Sequence, residues 1–112
     1  MPAYIIGRID IRDREAYGEY VSHTPRVIGQ FGGRFIVRGG EAETLEGPEE
    51  VLRLVVIEFP SLDNARNFYR SKEYQEVKKL REGAGDAQFV AVDGYASEEW
   101  QRALEESEGM SL

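Results

Sequence analysis

Cysteine is absent from this chain, and histidine occurs once, at His23. The first absence excludes disulfides, thiolate nucleophiles and cysteine metal sites. The second excludes a multi-histidine metal centre within one protomer and leaves only carboxylate-rich alternatives. Neither a metal nor an organic cofactor is assigned to the chain. No run of about 18 apolar residues is present, and the first residues lack the basic-then-apolar pattern of a secretion signal. A soluble cytoplasmic protein is therefore the expectation. Positive charge is scarce as well: 14 Lys and Arg stand against 21 Asp and Glu, for a formal charge of −7. Phosphate binding needs a concentrated positive surface, so no nucleic acid and no anionic membrane is expected as a partner.

What remains suffices for one hydrophobic core, at 112 residues and 41% hydrophobic content,. Two parts are distinguished, a body over residues 1–96 and an acidic tail over 97–112. In the tail five glutamates, Glu98, Glu99, Glu105, Glu106 and Glu108, outnumber the single Arg102, a net of −4. Trp100, Ala103 and Leu104 fall on one face of a short helix there. Such a helix is marginal alone, so it is expected to dock by Trp100 and Leu104, on its own body or on a partner.

The body alternates between the two structural periods. Ala3 to Ile11 reads as a strand, and Asp13 can cap a helix carrying Ala16, Tyr17, Tyr20 and Val21 on one stripe. Thr24-Pro25 suggests a restart of that helix, and Gly32-Gly33 its end. Arg34 to Arg38 is a second strand, with Phe35 and Val37 on one face and Arg34, Ile36 and Arg38 on the other. Gly39-Gly40 suggests a bulge or bend before an extended edge piece over Glu41 to Leu45. Leu52 to Phe59 is rich in β-branched residues and reads as a central strand that Pro60 ends. Ser61 caps the next helix, which breaks near Ser71 and resumes through Tyr74, Val77 and Leu80. Gln88 to Gly94 supplies the last strand. Strand, helix, strand, strand, helix, strand is the ferredoxin-like order: an α+β fold with a four-stranded antiparallel sheet and both helices on one face.

From Ala3 to about Tyr95 the sequence resembles the small bacterial family called domain of unknown function thirteen-thirty, within the dimeric α/β-barrel superfamily. The likeness is carried by Phe31-Gly-Gly-Arg-Phe-Ile-Val-Arg-Gly-Gly40, the Glu46-Gly47 turn, Ile57-Glu-Phe-Pro-Ser61 and Tyr69-Arg-Ser-Lys-Glu-Tyr-Gln75. The resemblance implies a ferredoxin-like protomer that pairs sheet to sheet, and it implies no known reaction. Related branches of the superfamily include cofactor-free monooxygenases, isomerases and dehalogenase-like proteins.

Alternation along the strands places Tyr4, Arg8, Arg38, Glu58 and Gln88 on the face away from the helices, among Ile6, Ile36, Leu54, Val56, Val90 and Val92. Glu58 draws notice because an ionised carboxylate between apolar neighbours is costly unless it is paired. The first and third strands are central in this topology, so Arg8 and Glu58 are expected to lie close, with Arg38 on a flanking strand. One reading makes this a ligand site: Tyr4, Arg8 and Arg38 hold a small anionic or carbonyl-bearing molecule and Glu58 acts as general base. His23 is a second acid-base candidate and Tyr69 a further ligand contact. The other reading makes Arg8, Arg38 and Glu58 ion pairs of a homodimer, because arginine suits bidentate pairing with carboxylates. A nucleic-acid-binding reading of the same topology fails, since Tyr4 is the one aromatic on the open face of the two central strands.

Overall fold

The computed structural model describes residues 1–110. Four strands, β1 (Ala3–Ile11), β2 (Arg34–Arg38), β3 (Arg53–Phe59) and β4 (Gly85–Asp93), form one antiparallel sheet in the order β2-β3-β1-β4. Helices α1 (Arg14–Gln30), α2 (Leu62–Arg70) and α3 (Lys72–Lys78) pack on one face, and α4 (Ser97–Glu108) follows β4. This is the ferredoxin-like arrangement, an open sheet whose edges are β2 and β4,.

The core follows from period two in the strands meeting period 3.6 in the helices. Ile5 and Ile9 of β1 and Val55, Ile57 and Phe59 of β3 are buried against Tyr17, Tyr20, Val27 and Ile28 of α1, Phe68 of α2, and Tyr74 and Val77 of α3. Phe68 is the aromatic hub: its ring centroid lies 4.6 Å from Tyr74, 5.2 Å from Phe59 and 6.2 Å from Phe31. The starts of α1, α2 and α3 are each fixed by a side-chain oxygen that accepts an otherwise orphaned N–H,. Asp13 caps α1 through the Ala16 N–H, Ser61 caps α2 through that of Asn64, and Ser71 both separates α2 from α3 and caps the latter through Tyr74. On the opposite face Ile6, Ile36, Val37, Val90 and Val92 are each 42–50% exposed, with none of the described residues covering them.

Helix α1 does not restart at Thr24-Pro25 as expected but runs through Pro25 without interruption. The chain bends at Gly39, as the paired glycines suggest, and a bulge lies earlier, at Ile36: Phe35 pairs with Ile57, yet Val37 pairs with Val56, so one extra residue sits in β2,. Residues 41–45 are irregular and not an extended edge piece, and β4 begins at Gly85, three residues before the expected start. No residue of α4 is buried, and Trp100 remains 58% exposed, so the tail helix does not dock on its own body. Residues 111 and 112 of the tail lie outside the described residues.

Candidate functional site

A cavity of about 30 Å³ lies between α1 and the sheet, lined by Tyr17, Tyr20 and Val21 on one side and Phe35, Arg38 and Arg53 on the other. A single water needs roughly 10–15 Å³, so this chamber accepts only very small groups as it stands. Next to it is an outer vestibule of about 670 Å³, bounded by α1 and the 39–52 connection. Ile9, Tyr17, Val21 and Arg53 line both spaces and so form the throat between them. The vestibule has the size of an ordinary small-molecule site.

Arg38 reaches this cleft because of the bulge. Strict alternation from Arg34 would have left it on the open face, but the extra residue at Ile36 reverses parity, and Arg38 pairs with the inward-facing Val55,. Its guanidinium then lies 4.4 Å from the Phe35 ring centroid, and Nη2 donates to the Val21 carbonyl at 2.9 Å. That carbonyl is available for a local reason. Pro25 is four residues on and has no N–H to complete the helical bond. Thr24 Oγ1 also donates to the same oxygen, at 3.0 Å. A proline inside a helix thus supplies the anchor for a cation.

Arg53 is the site residue that the strand pattern should have exposed. It begins the inward series Arg53, Val55, Ile57, Phe59, and its Nε is buried without a hydrogen-bond partner among the described residues. Gly39 makes room for it: a Cβ there would sit 2.5 Å from the Arg53 guanidinium carbon, and the Gly39 backbone has φ +68°. Both the close approach and the left-handed backbone favour glycine.

Three phenols complete the cluster. The hydroxyls of Tyr20 and Tyr74 lie 2.7 Å apart, whereas the Tyr17 hydroxyl is buried and has no partner among the described residues. Burial pushes the Tyr17 hydroxyl above its ordinary value, outweighing the pull of the Arg81 and Arg53 charges toward the phenolate,. Burial and the neighbouring Tyr74 push Tyr20 up further. Tyr17 and Tyr20 are therefore neutral at neutral pH. Arg81 stands behind them, its guanidinium carbon 5.3 Å from the Tyr20 ring centroid. Among the described residues no carboxylate lies within 4.0 Å of Arg38, Arg53 or Arg81, and none lines the inner cavity.

The residues expected to form a site on the open face are distributed differently. Arg8 pairs with Leu54 in the ladder and its guanidinium makes a bidentate contact with Glu50, at 2.6 and 2.9 Å, not with Glu58. That contact holds the Glu50 carboxyl below the usual carboxylate range. Glu58 stands between Tyr4 and Arg34 in the register and accepts from Arg34 Nε at 3.2 Å. Tyr4 is half-buried on that face, remote from Arg38. His23 is exposed on α1 and lines neither chamber. Tyr69 packs on Tyr74 at 5.2 Å and faces a separate shallow groove beside β4. Among the described residues no group of three or more His, Cys, Asp or Glu side chains could hold a metal ion.

Residues 2–95 match the family described as Domain of unknown function (DUF1330). The chain belongs to this family. No curated protein matches it. This DUF1330 chain is similar in structure to a protein of unknown function from Rhodopseudomonas palustris, at 23% identity and a TM-score of 0.67, covering 85% of this chain and 83% of that one. It is similar also to SnoaB, a cofactor-independent oxygenase from Streptomyces nogalater, at 11% identity and a TM-score of 0.56 over 86% of this chain and 95% of the other. A dimeric protein of unknown function with a ferredoxin-like fold from Bacteroides fragilis aligns at 14% identity and a TM-score of 0.52, covering 83% and 96% respectively. At these identities the likeness establishes the fold. No helix is long and apolar enough to cross a membrane, among the described residues.

Proposed function

We propose that this DUF1330 chain is a cofactor-independent small-molecule enzyme or binder, cytoplasmic and homodimeric, whose working site is the helix–sheet cleft. The observation that carries the reading is a throat and chamber supplied with Arg38, Arg53 and the Tyr17 hydroxyl but, among the described residues, with no carboxylate within 4.0 Å of either guanidinium. In a chain of charge −7, two guanidiniums left without counter-charge at a cavity suit an anionic or carbonyl-bearing ligand,. Donors without a base suit stabilisation of negative charge developing on an oxygen. SnoaB lends an analogy of fold to the enzymatic reading. The homodimer is supported by the uncovered apolar face, which soluble monomers rarely leave open, and by the dimeric neighbour of the same fold,.

The test is a panel of small carboxylates, phenols and diketones screened by thermal shift against the wild type, Val21→Phe and Glu58→Gln. Val21 lines the throat, so the larger side chain should block binding, while Glu58→Gln should leave it intact. Binding lost in Glu58→Gln and kept in Val21→Phe would move the site to the open face. No binder in the panel would favour the second reading, a non-catalytic homodimeric module. A specific observation supports that alternative: Arg8 and Glu58 each have an ion-pair partner.

A further inference from the structure

We propose that the ligand of the cleft is a small monocarboxylate, held at the throat by the Arg53 Nε–H and the Tyr17 hydroxyl, with the body of the molecule in the vestibule. The inference rests on the helix–sheet cleft being the working site. Arg53 and Tyr17 are the two polar side chains that line both chambers, and each carries a buried donor with no partner among the described residues. Tyr17 itself is 2% exposed. A buried unsatisfied donor is expensive, and two at one place are satisfied together by a single acceptor group. A planar carboxylate offers two oxygens with several lone pairs and matches the geometry of the guanidinium fork.

Size and charge narrow the class. The inner chamber of about 30 Å³ excludes the bulk of any organic ligand, whereas the vestibule of about 670 Å³ accepts it. The vestibule also contains Asp10 and Glu50, which offset Arg14 and Arg53 and leave no surplus of positive charge for a polyanion such as a phosphate ester. A neutral amide, ketone or phenol can accept from these donors but lacks the full negative charge that the Arg53 guanidinium leaves unanswered. Tyr17, held neutral, keeps its proton to donate.

Benzoate, benzamide and phenol, similar in size and different in head group, test the assignment by calorimetry on the full chain. Benzoate should bind the wild type at least roughly tenfold more tightly than either neutral probe. Tyr17→Phe should weaken benzoate roughly tenfold to a hundredfold, the worth of one hydrogen bond to a charged group, and leave benzamide and phenol nearly unchanged. Arg53→Gln should weaken it further still. If Arg53→Gln fails to fold, Tyr17→Phe carries the decision alone, because the hydroxyl it removes makes no hydrogen bond among the described residues. Should benzamide or phenol bind as well as benzoate, or Tyr17→Phe leave benzoate untouched, the carboxylate assignment falls; if Val21→Phe still blocks those probes, the cleft itself survives. Failure of all three to bind the wild type overturns the assignment outright.

Discussion

The two faces of one sheet treat their charges in opposite ways. On the open face Arg8 meets Glu50 and Arg34 meets Glu58, each cation balanced by a carboxylate although water is close by. On the helix face half-buried Arg53, whose Nε is shut off from water, and exposed Arg38 have no carboxylate within reach among the described residues. A fold optimised for stability alone would pair Arg53 first, since unpaired charge is costlier as it is desolvated. The contrast marks the helix face as the place where something else completes the electrostatics.

The largest effect that separates the faces should come from Phe68→Ala. Its ring contacts three other aromatics in the helix-side core, and its loss should cost about 3–5 kcal/mol, read by denaturant unfolding,. A comparable loss from an open-face valine would mean that the second face is a core too. Val56→Asp examines that point. In a sheet-to-sheet homodimer it should convert the protein to monomer at micromolar concentration, measured by sedimentation. A wild type that is already monomeric would remove the proposed assembly, while unchanged dimerisation in the variant would place the interface elsewhere. Deleting residues from Ser97 onward should weaken the dimer or lower stability, because α4 leaves Trp100 exposed and needs a surface to rest on,.

Smaller effects sharpen the contrast through pH. Tyr17 and Tyr20 are held protonated above their unfolded value near 10, so their contribution to stability is complete below that pH,. It is lost as pH rises further, because the unfolded chain ionises first. Tyr20→Phe should flatten this alkaline limb of the melting temperature and cost about 0.5–1.5 kcal/mol at neutral pH for the lost hydroxyl pair,. The open face answers to acid. Glu50 is lowered from 4.5 by Arg8, so its contribution is present above that value and disappears as pH falls through its folded value,. Glu50→Gln should remove that part of the acid limb. Least of all should Glu58→Gln matter, by about 1 kcal/mol or less in the protomer, because its partner Arg34 is 71% exposed,.

The order of elements was legible because β-branched runs, capping residues and paired glycines mark their own boundaries. Ser61 and Ser71 do at their helix starts what their position in the sequence suggests. The inward residues of β1 and β3 were legible for the same reason, as those strands keep regular alternation. The site was legible only in fragments. Arg38 stood out by type, but its face depends on a bulge whose position is set by packing rather than by a local residue preference. Arg53 lies at the strand boundary, where a charged residue has no mark of its own, although alternation with Val55 points it inward. Tyr17 looked like an ordinary core aromatic, since a hydroxyl that lacks a partner leaves no mark on spacing.

The extra residue at Ile36 makes the regularity of β2 a control element for the cleft. With the same five residues and no bulge, the strand would carry Arg38 on the side of Arg34, away from the cleft, and leave the Val21 carbonyl with Thr24 as its remaining donor,. Such a strand would keep every residue of the site yet halve the guanidinium complement of the cleft. In a family aligned by residue type, two chains with the same arginine could thus differ in whether it serves the ligand, and the presence of this one bulge would decide between them.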